Sequence, residues 1–116
     1  MTTHSKKDLC VLYLERYAQK DLSGIEAMFS DDIILRDWKI RVTGKKIALE
    51  ETHKNFEAAD TIAIDILQMH EDADTVAAEL KITVDTTEVL YVVDIITFNS
   101  KGQISSIRAY KGRGDD

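Results

Sequence analysis

A chain of 116 residues holds one domain, and 44% hydrophobic with 31% charged residues is the balance of a folded globular protein, not of a disordered one. Fifteen Lys+Arg against 21 Asp+Glu give a net charge of −6, which repels phosphate backbones and argues against nucleic acid as a partner. The single cysteine, Cys10, excludes an internal disulfide, and neither a signal-peptide core nor an apolar run near the ~20 residues of a membrane span is seen, so no membrane association and a cytoplasmic location are expected.

Proline is absent and glycine scarce, so hydrophobic period carries most of the reading. Over residues 5–20, Leu9, Cys10, Leu12, Tyr13 and Tyr17 recur at helical spacing, with Ser5 as cap and Asp8 in the first turn. Tyr13 and Tyr17 are four apart and share a face. Asp21 or Ser23 opens a short second helix over 24–29. Residues 33–38 are rich in β-formers and predict a strand. A third helix follows Gly44, over 45–59, with Ile47, Ala48, Leu49, Thr52 and Phe56 in phase.

After Asp60 the period changes from 3.6 to 2. Strands are predicted over 62–70, 76–84, 89–99 and 104–111, joined by the polar turns 71–74, 85–88 and 100–102. Helices first and a meander after them read as α+β, a curved antiparallel sheet with helices on one face. The tail 113–116 is expected to fray.

One residue does not fit its face. In the strand 89–99, Leu90, Val92, Ile96 and Phe98 share a side with Asp94. A carboxyl among four apolar neighbours either finds a backbone or arginine partner, Arg36 or Arg108, or stays neutral and donates a hydrogen bond into a pocket. The opposite side, with Tyr91, Val93 and Ile95, is apolar too and predicts burial against a second copy of the chain. Asp37 ends the apolar stripe Ile33–Leu35, as a solvated turn residue or a pocket carboxylate. Tyr13 alone would be a core tyrosine. Together the three supply one base and two hydrogen-bond donors, the groups needed to move a proton beside a carbonyl. The acidic stretch 70–74 lacks calcium-loop spacing, the glycines are too sparse for a phosphate loop, and no metal or cofactor is expected.

The order and spacing of the segment 13–25, of Phe29-Ser-Asp-Asp32 and of Arg36-Asp37 resemble the NTF2-like superfamily, and within it the ketosteroid isomerases and their SnoaL-like relatives. The resemblance runs from about Leu9 to Gly112. It implies a cone-shaped barrel with the sheet wrapped around the N-terminal helices, an apolar pocket for a small ligand, and in many members a homodimer. It places the isomerase's catalytic tyrosine on Tyr13, its general-base aspartate on Asp37 and its protonated aspartic acid on Asp94. The implied reaction is a double-bond shift beside a ketone. The superfamily equally hosts ligand-binding or dimerisation modules without chemistry, and SnoaL-like cyclases and epoxide hydrolases. Three departures stand out. Trp38 replaces the proline that often follows the base, and Lys111 stands where a steroid pocket would be apolar. The third helix reads Glu51-Thr-His-Lys54 where a supporting tyrosine is expected, with His53 the nearest substitute and more simply a surface residue.

Overall fold

The computed structural model describes residues 5–113. Helix α1, Lys6–Ala18, begins at a reciprocal cap: Ser5 Oγ accepts from the Asp8 amide at 3.0 Å, and the Asp8 carboxylate accepts from the Ser5 amide at 3.3 Å. Helix α2, Leu22–Glu26, is capped by Asp21, whose Oδ1 accepts from the Gly24 amide at 3.0 Å. A Cβ at Gly24 would collide with the Asp21 carboxylate, so the cap itself requires glycine there. Helix α3, Lys45–Ala58, follows Gly44, whose φ of 106° suits only a residue without a side chain.

Six strands form one sheet: β1 Phe29–Arg36, β2 Arg41–Thr43, β3 Ile62–Asp72, β4 Thr75–Val84, β5 Glu88–Phe98 and β6 Ile104–Lys111, in the order β2-β1-β6-β5-β4-β3. The architecture is the expected α+β arrangement. The sheet is mixed rather than wholly antiparallel, because β1 lies parallel to β6 while every other pair is antiparallel. Residues from α1, α2 and α3 form a single apolar cluster with the inward residues of the strands, Phe29, Ile33, Leu80, Ile96, Phe98 and Ile104 among them. The helices therefore cover one face of the sheet and leave the other bare. Tyr91, Val93 and Ile95 lie half-buried on that bare face.

Three differences from the sequence reading have physical causes. β1 starts at Phe29, not at 33, because its register against β6 slips between Phe29 and Ile34; the exposed Asp31 and Asp32 sit in that slip and break the apolar pattern. Trp38 falls outside the strand, in a turn closed by the Asp37 amide donating to the Ile40 carbonyl at 3.0 Å. In β3 a bulge between Ile66 and Gln68 shifts the alternation, so Met69 rather than Gln68 or His70 turns inward and Ile66 is left exposed. The short β2 was not anticipated: three residues, two of them charged or polar, carry no period. Of the tail 113–116, residues 114–116 lie outside the described residues, as does the start of the chain before Ser5. Among the described residues no helix is long and apolar enough to cross a membrane.

Candidate functional site

Between the helices and the sheet lies a cavity of about 290 Å³, and Tyr13, Asp37 and Asp94 all line it. Three elements far apart in sequence meet there: α1 brings Tyr13, the turn after β1 brings Asp37, and the middle of β5 brings Asp94. The remaining walls are largely aliphatic, with Leu35, Ile64, Leu80 and Val92 among them.

Asp94 is 8% exposed. Its cross-strand neighbours are Ala78 on β4 and Ala109 on β6, and its same-face neighbours along β5 are the buried Val92 and Ile96. Two alanines are too short to reach its carboxyl, which leaves space above it and supplies no polar partner. Neither the backbone bond nor the arginine pair weighed from sequence forms: Asp94 has no side-chain hydrogen bond or ion pair among the described residues, and Arg36 and Arg108 are exposed. No sealed-off side-chain oxygen in this set lacks a partner, so the carboxyl opens onto the cavity. Desolvation pushes its pKa from the ordinary 3.8 up to about 7.

Tyr13 is 4% exposed, and its hydroxyl likewise bonds to no protein group among the described residues. Burial raises its pKa well above the usual phenol value, with the neighbouring Asp94 charge adding to it, so the hydroxyl is a donor and never a phenolate in ordinary conditions. Its ring packs against Tyr17 at 6.0 Å and Phe29 at 6.2 Å between centroids, which fixes its direction. Tyr17 in turn stands edge-on to Phe56 at 4.9 Å, and its hydroxyl accepts from Asn55 Nδ2 at 3.2 Å.

Asp37 is half-buried at the rim. Its Oδ1 accepts from the Lys39 amide at 2.7 Å and the Ile40 amide at 2.9 Å, closing a turn that also positions Trp38. Oδ2 makes neither of these bonds. The turn fixes where the carboxylate sits.

No residue of α3 bonds to Tyr13 in place of the missing tyrosine among the described residues; Asn55 and Thr52 line the cavity, Asn55 bonded to Tyr17 and Thr52 to the Ala48 carbonyl. Asn55 was missed from sequence; its one signal was its place three residues after the inward Thr52 on the same helix. His53 is a surface residue paired with Glu57 one turn on, as the plainer reading had it. Lys111 corrects an expectation. By register it sits opposite Val92, on the cavity side of the sheet, but it is exposed and its ammonium lies 6.0 Å over the Trp38 ring, outside the apolar walls. Cys10 is buried beneath the site, its thiol pushed up to about 12 by burial first and by Asp94 second. No group of His, Cys, Asp and Glu among the described residues could hold a metal ion.

A family model for the SnoaL-like domain matches residues 11–107. The steroid Delta-isomerase of Nocardioides simplex is 29% identical over 107 residues, covering 89% of this chain and 86% of that enzyme. Among solved structures, a SnoaL-like protein of unknown function from Burkholderia thailandensis superposes with a TM-score of 0.84 at 11% identity, over 97% of this chain and 100% of the other. A putative ketosteroid isomerase from Kribbella flavida gives 0.82 at 15% identity, over 96% and 80%. At such identities the two structures speak for the fold alone.

Proposed function

The chain belongs to the SnoaL-like domain family, and on that footing we propose that it is a ketosteroid-isomerase-like enzyme, transferring a proton beside the carbonyl of an apolar ketone. Asp37 takes a proton from the carbon α to the carbonyl. The released electron pair moves toward oxygen as the enolate forms. Tyr13 and neutral Asp94 donate hydrogen bonds to that oxygen as its charge grows. Asp37 then returns the proton to the γ carbon, the double bond moves into conjugation, and the base is regenerated. Each oxyanion donor of this kind is worth about 3 kcal/mol of barrier. This pairing of a carboxylate base with a carboxylic acid that burial keeps neutral is the arrangement for which ketosteroid isomerase itself is the worked case.

The observation that carries the reading is Asp94: a carboxyl with no partner among the described residues, desolvated on an apolar strand face and open to the same cavity as Tyr13 and Asp37. The cavity, at about 290 Å³, is at the small end of ordinary ligand pockets and suits a compact ketone. A non-catalytic ligand-binding module is the second reading. What favours it is the turn-closing role of Asp37, which gives that residue a structural reason to be aspartate. A homodimer through the bare sheet face, centred on Tyr91, Val93 and Ile95, and a cytoplasmic location complete the proposal.

The test is the growth of conjugated-enone absorbance when the protein meets a β,γ-unsaturated 3-ketosteroid, beside Asp37→Asn. Conversion that drops ~10²-fold or more in the variant assigns the base. Wild-type protein with no conversion above background leaves the binding module as the function.

A further inference from the structure

The wall of the cavity built by α1 and α3 carries polar groups that the proton transfer does not use. Tyr17 stands one turn beyond Tyr13 on α1, and Thr52 and Asn55 stand one turn apart on α3; all four line the cavity. The Thr52 hydroxyl donates to the Ala48 carbonyl at 2.8 Å, so its proton is committed within its own helix. Among the described residues Tyr17 and Asn55 are hydrogen-bonded only to each other, Asn55 Nδ2 donating to the phenol oxygen at 3.2 Å.

That single bond leaves both partners incomplete. The phenol proton has no acceptor among the described residues, and Asn55 Oδ1 has no donor. Turning the amide over makes the phenol the donor and Oδ1 its acceptor, and frees the amide protons and the phenol lone pairs instead. In either orientation a donor and an acceptor stay unused side by side. Tyr17 is half-buried against the Tyr13 and Phe56 rings, and burial lifts its pKa above the ordinary phenol value against the opposing effect of the Asn55 bond. The charges of Asp94 and Asp37 add to the rise, so the Tyr17 hydroxyl feels both aspartates of the site. No side-chain polar atom among the described residues is sealed away without a partner, so the spare groups reach open space.

We propose that Tyr17 and Asn55 form a second polar subsite, which takes a hydroxyl of the ligand while Tyr13 and Asp94 hold its carbonyl oxygen. A hydroxyl uses both spare groups at once, accepting from the Tyr17 O–H and donating to Asn55 Oδ1; a second carbonyl would use the donor alone. The Tyr13 and Tyr17 rings lie 6.0 Å apart between centroids, which spaces the two oxygens by about one helical turn, ~5.4 Å. Oxygens on opposite carbons of a six-membered ring have a similar separation. The proposal rests on the reading of the cavity as a ketone site and adds the chemical class of the ligand: a compact hydroxy ketone.

The experiment compares 4-hydroxy-4-phenylcyclohexanone with 4-phenylcyclohexanone, which lacks only the hydroxyl. Each is titrated against the protein through the emission of Trp38, the sole tryptophan and part of the cavity wall. Wild type is expected to bind the hydroxy ketone about five-fold tighter, the usual net effect of a hydrogen bond. Tyr17→Phe keeps the ring that packs on Phe56 and should bring the ratio of the two affinities to about one, while Asn55→Ala keeps part of the preference. Binding of the plain ketone reads the cavity and the ratio reads the subsite, so the two can fail separately. Equal binding of both ketones by wild type, or a preference that survives Tyr17→Phe, overturns the subsite and leaves the ketone site standing. Neither ketone binding up to millimolar concentration overturns both. A Tyr17→Phe protein that loses stability in urea yet keeps the wild-type ratio also overturns the subsite, and assigns the pair to holding α3 on α1.

Discussion

Replacing Asp94 with asparagine keeps the shape of the side chain and removes its proton equilibrium. In wild-type protein the folded-state pKa is about 7 against an ordinary 3.8, raised by burial. Below pH 3.8 both folded and unfolded chains hold the proton, and Asp94 imposes no penalty. Between those values the unfolded chain ionises while the folded chain holds its proton, so stability falls by about 1.4 kcal/mol per pH unit. Above about 7 both are ionised and the loss levels off, at a total of about 4 kcal/mol. The Asp94→Asn protein has no such term. Urea unfolding of both proteins from pH 4 to pH 9, at matched concentration, cancels every titration they share. The stability of wild type minus variant should decline across the window from pH 4 to 7 and then stay flat. A difference that is level with pH, or rises, would falsify the desolvated carboxyl and with it the neutral donor. It would mean that water or a cation reaches Asp94.

Tyr13→Phe should lower kcat by about 10²–10³-fold, because one oxyanion donor is lost, yet shift stability by less than about 1 kcal/mol, because the hydroxyl bonds to no protein group among the described residues; a large stability loss with kcat intact would reverse the assignment. Cys10, with its thiol pushed up to about 12 and fully buried, should react with Ellman's reagent at least ~10²-fold more slowly in the folded protein than in urea. Rapid labelling of native protein would show the α1 packing to be open. Val93→Glu sets a carboxylate in the middle of the bare apolar sheet face, so sedimentation at micromolar concentration should show a dimer for wild type and a monomer for the variant; a monomeric wild type removes the dimer from the proposal.

What could be read from the sequence was whatever has a local signature. The α1 cap follows from Ser5 and Asp8 three residues apart, and the singular position of Asp94 follows from strand alternation alone. The reasons the rest stayed hidden differ from element to element. A parallel partner such as β6 for β1 lies some 70 positions away and leaves no mark on either strand. A bulge like that at Ile66 and Gln68 is a property of the pairing, not of the residues. Asn55 meets Tyr17 across 38 positions, through the packing of α3 on α1. A row of three arginines across the sheet was equally invisible, since Arg36, Arg41 and Arg108 become neighbours only when β1 is inserted between β2 and β6. Sequence reasoning had offered two of them to Asp94; strand alternation turns them to the bare face instead, with Arg108 opposite Ile95.

The same insertion explains how two aspartates share one cavity in different surroundings. Arg36 pairs with Arg108, so Asp37 follows on β1's course as Ala109 follows on β6, and Ala109 pairs with Asp94 on β5. Ala109 thus stands beside Asp94 across the sheet, while Asp37, one residue past the last β1–β6 pair, meets both at the wall of the cavity. Ala109 is small, and its methyl forms the floor between a rim carboxylate and a buried one. A flat carbonyl compound laid over Ala109 would span the two. Ala109→Leu tests this directly. The added carbons project into the cavity and not into a packed core, so the fold should keep its stability or gain up to about 0.8 kcal/mol for each methylene that becomes buried. Conversion of the ketosteroid, and its binding, should fall at least ten-fold, because the bulk occupies the space between base and donor. A leucine variant that binds and turns over as wild type does would place the ligand elsewhere in the cavity, and the floor at Ala109 would then have no part in the chemistry.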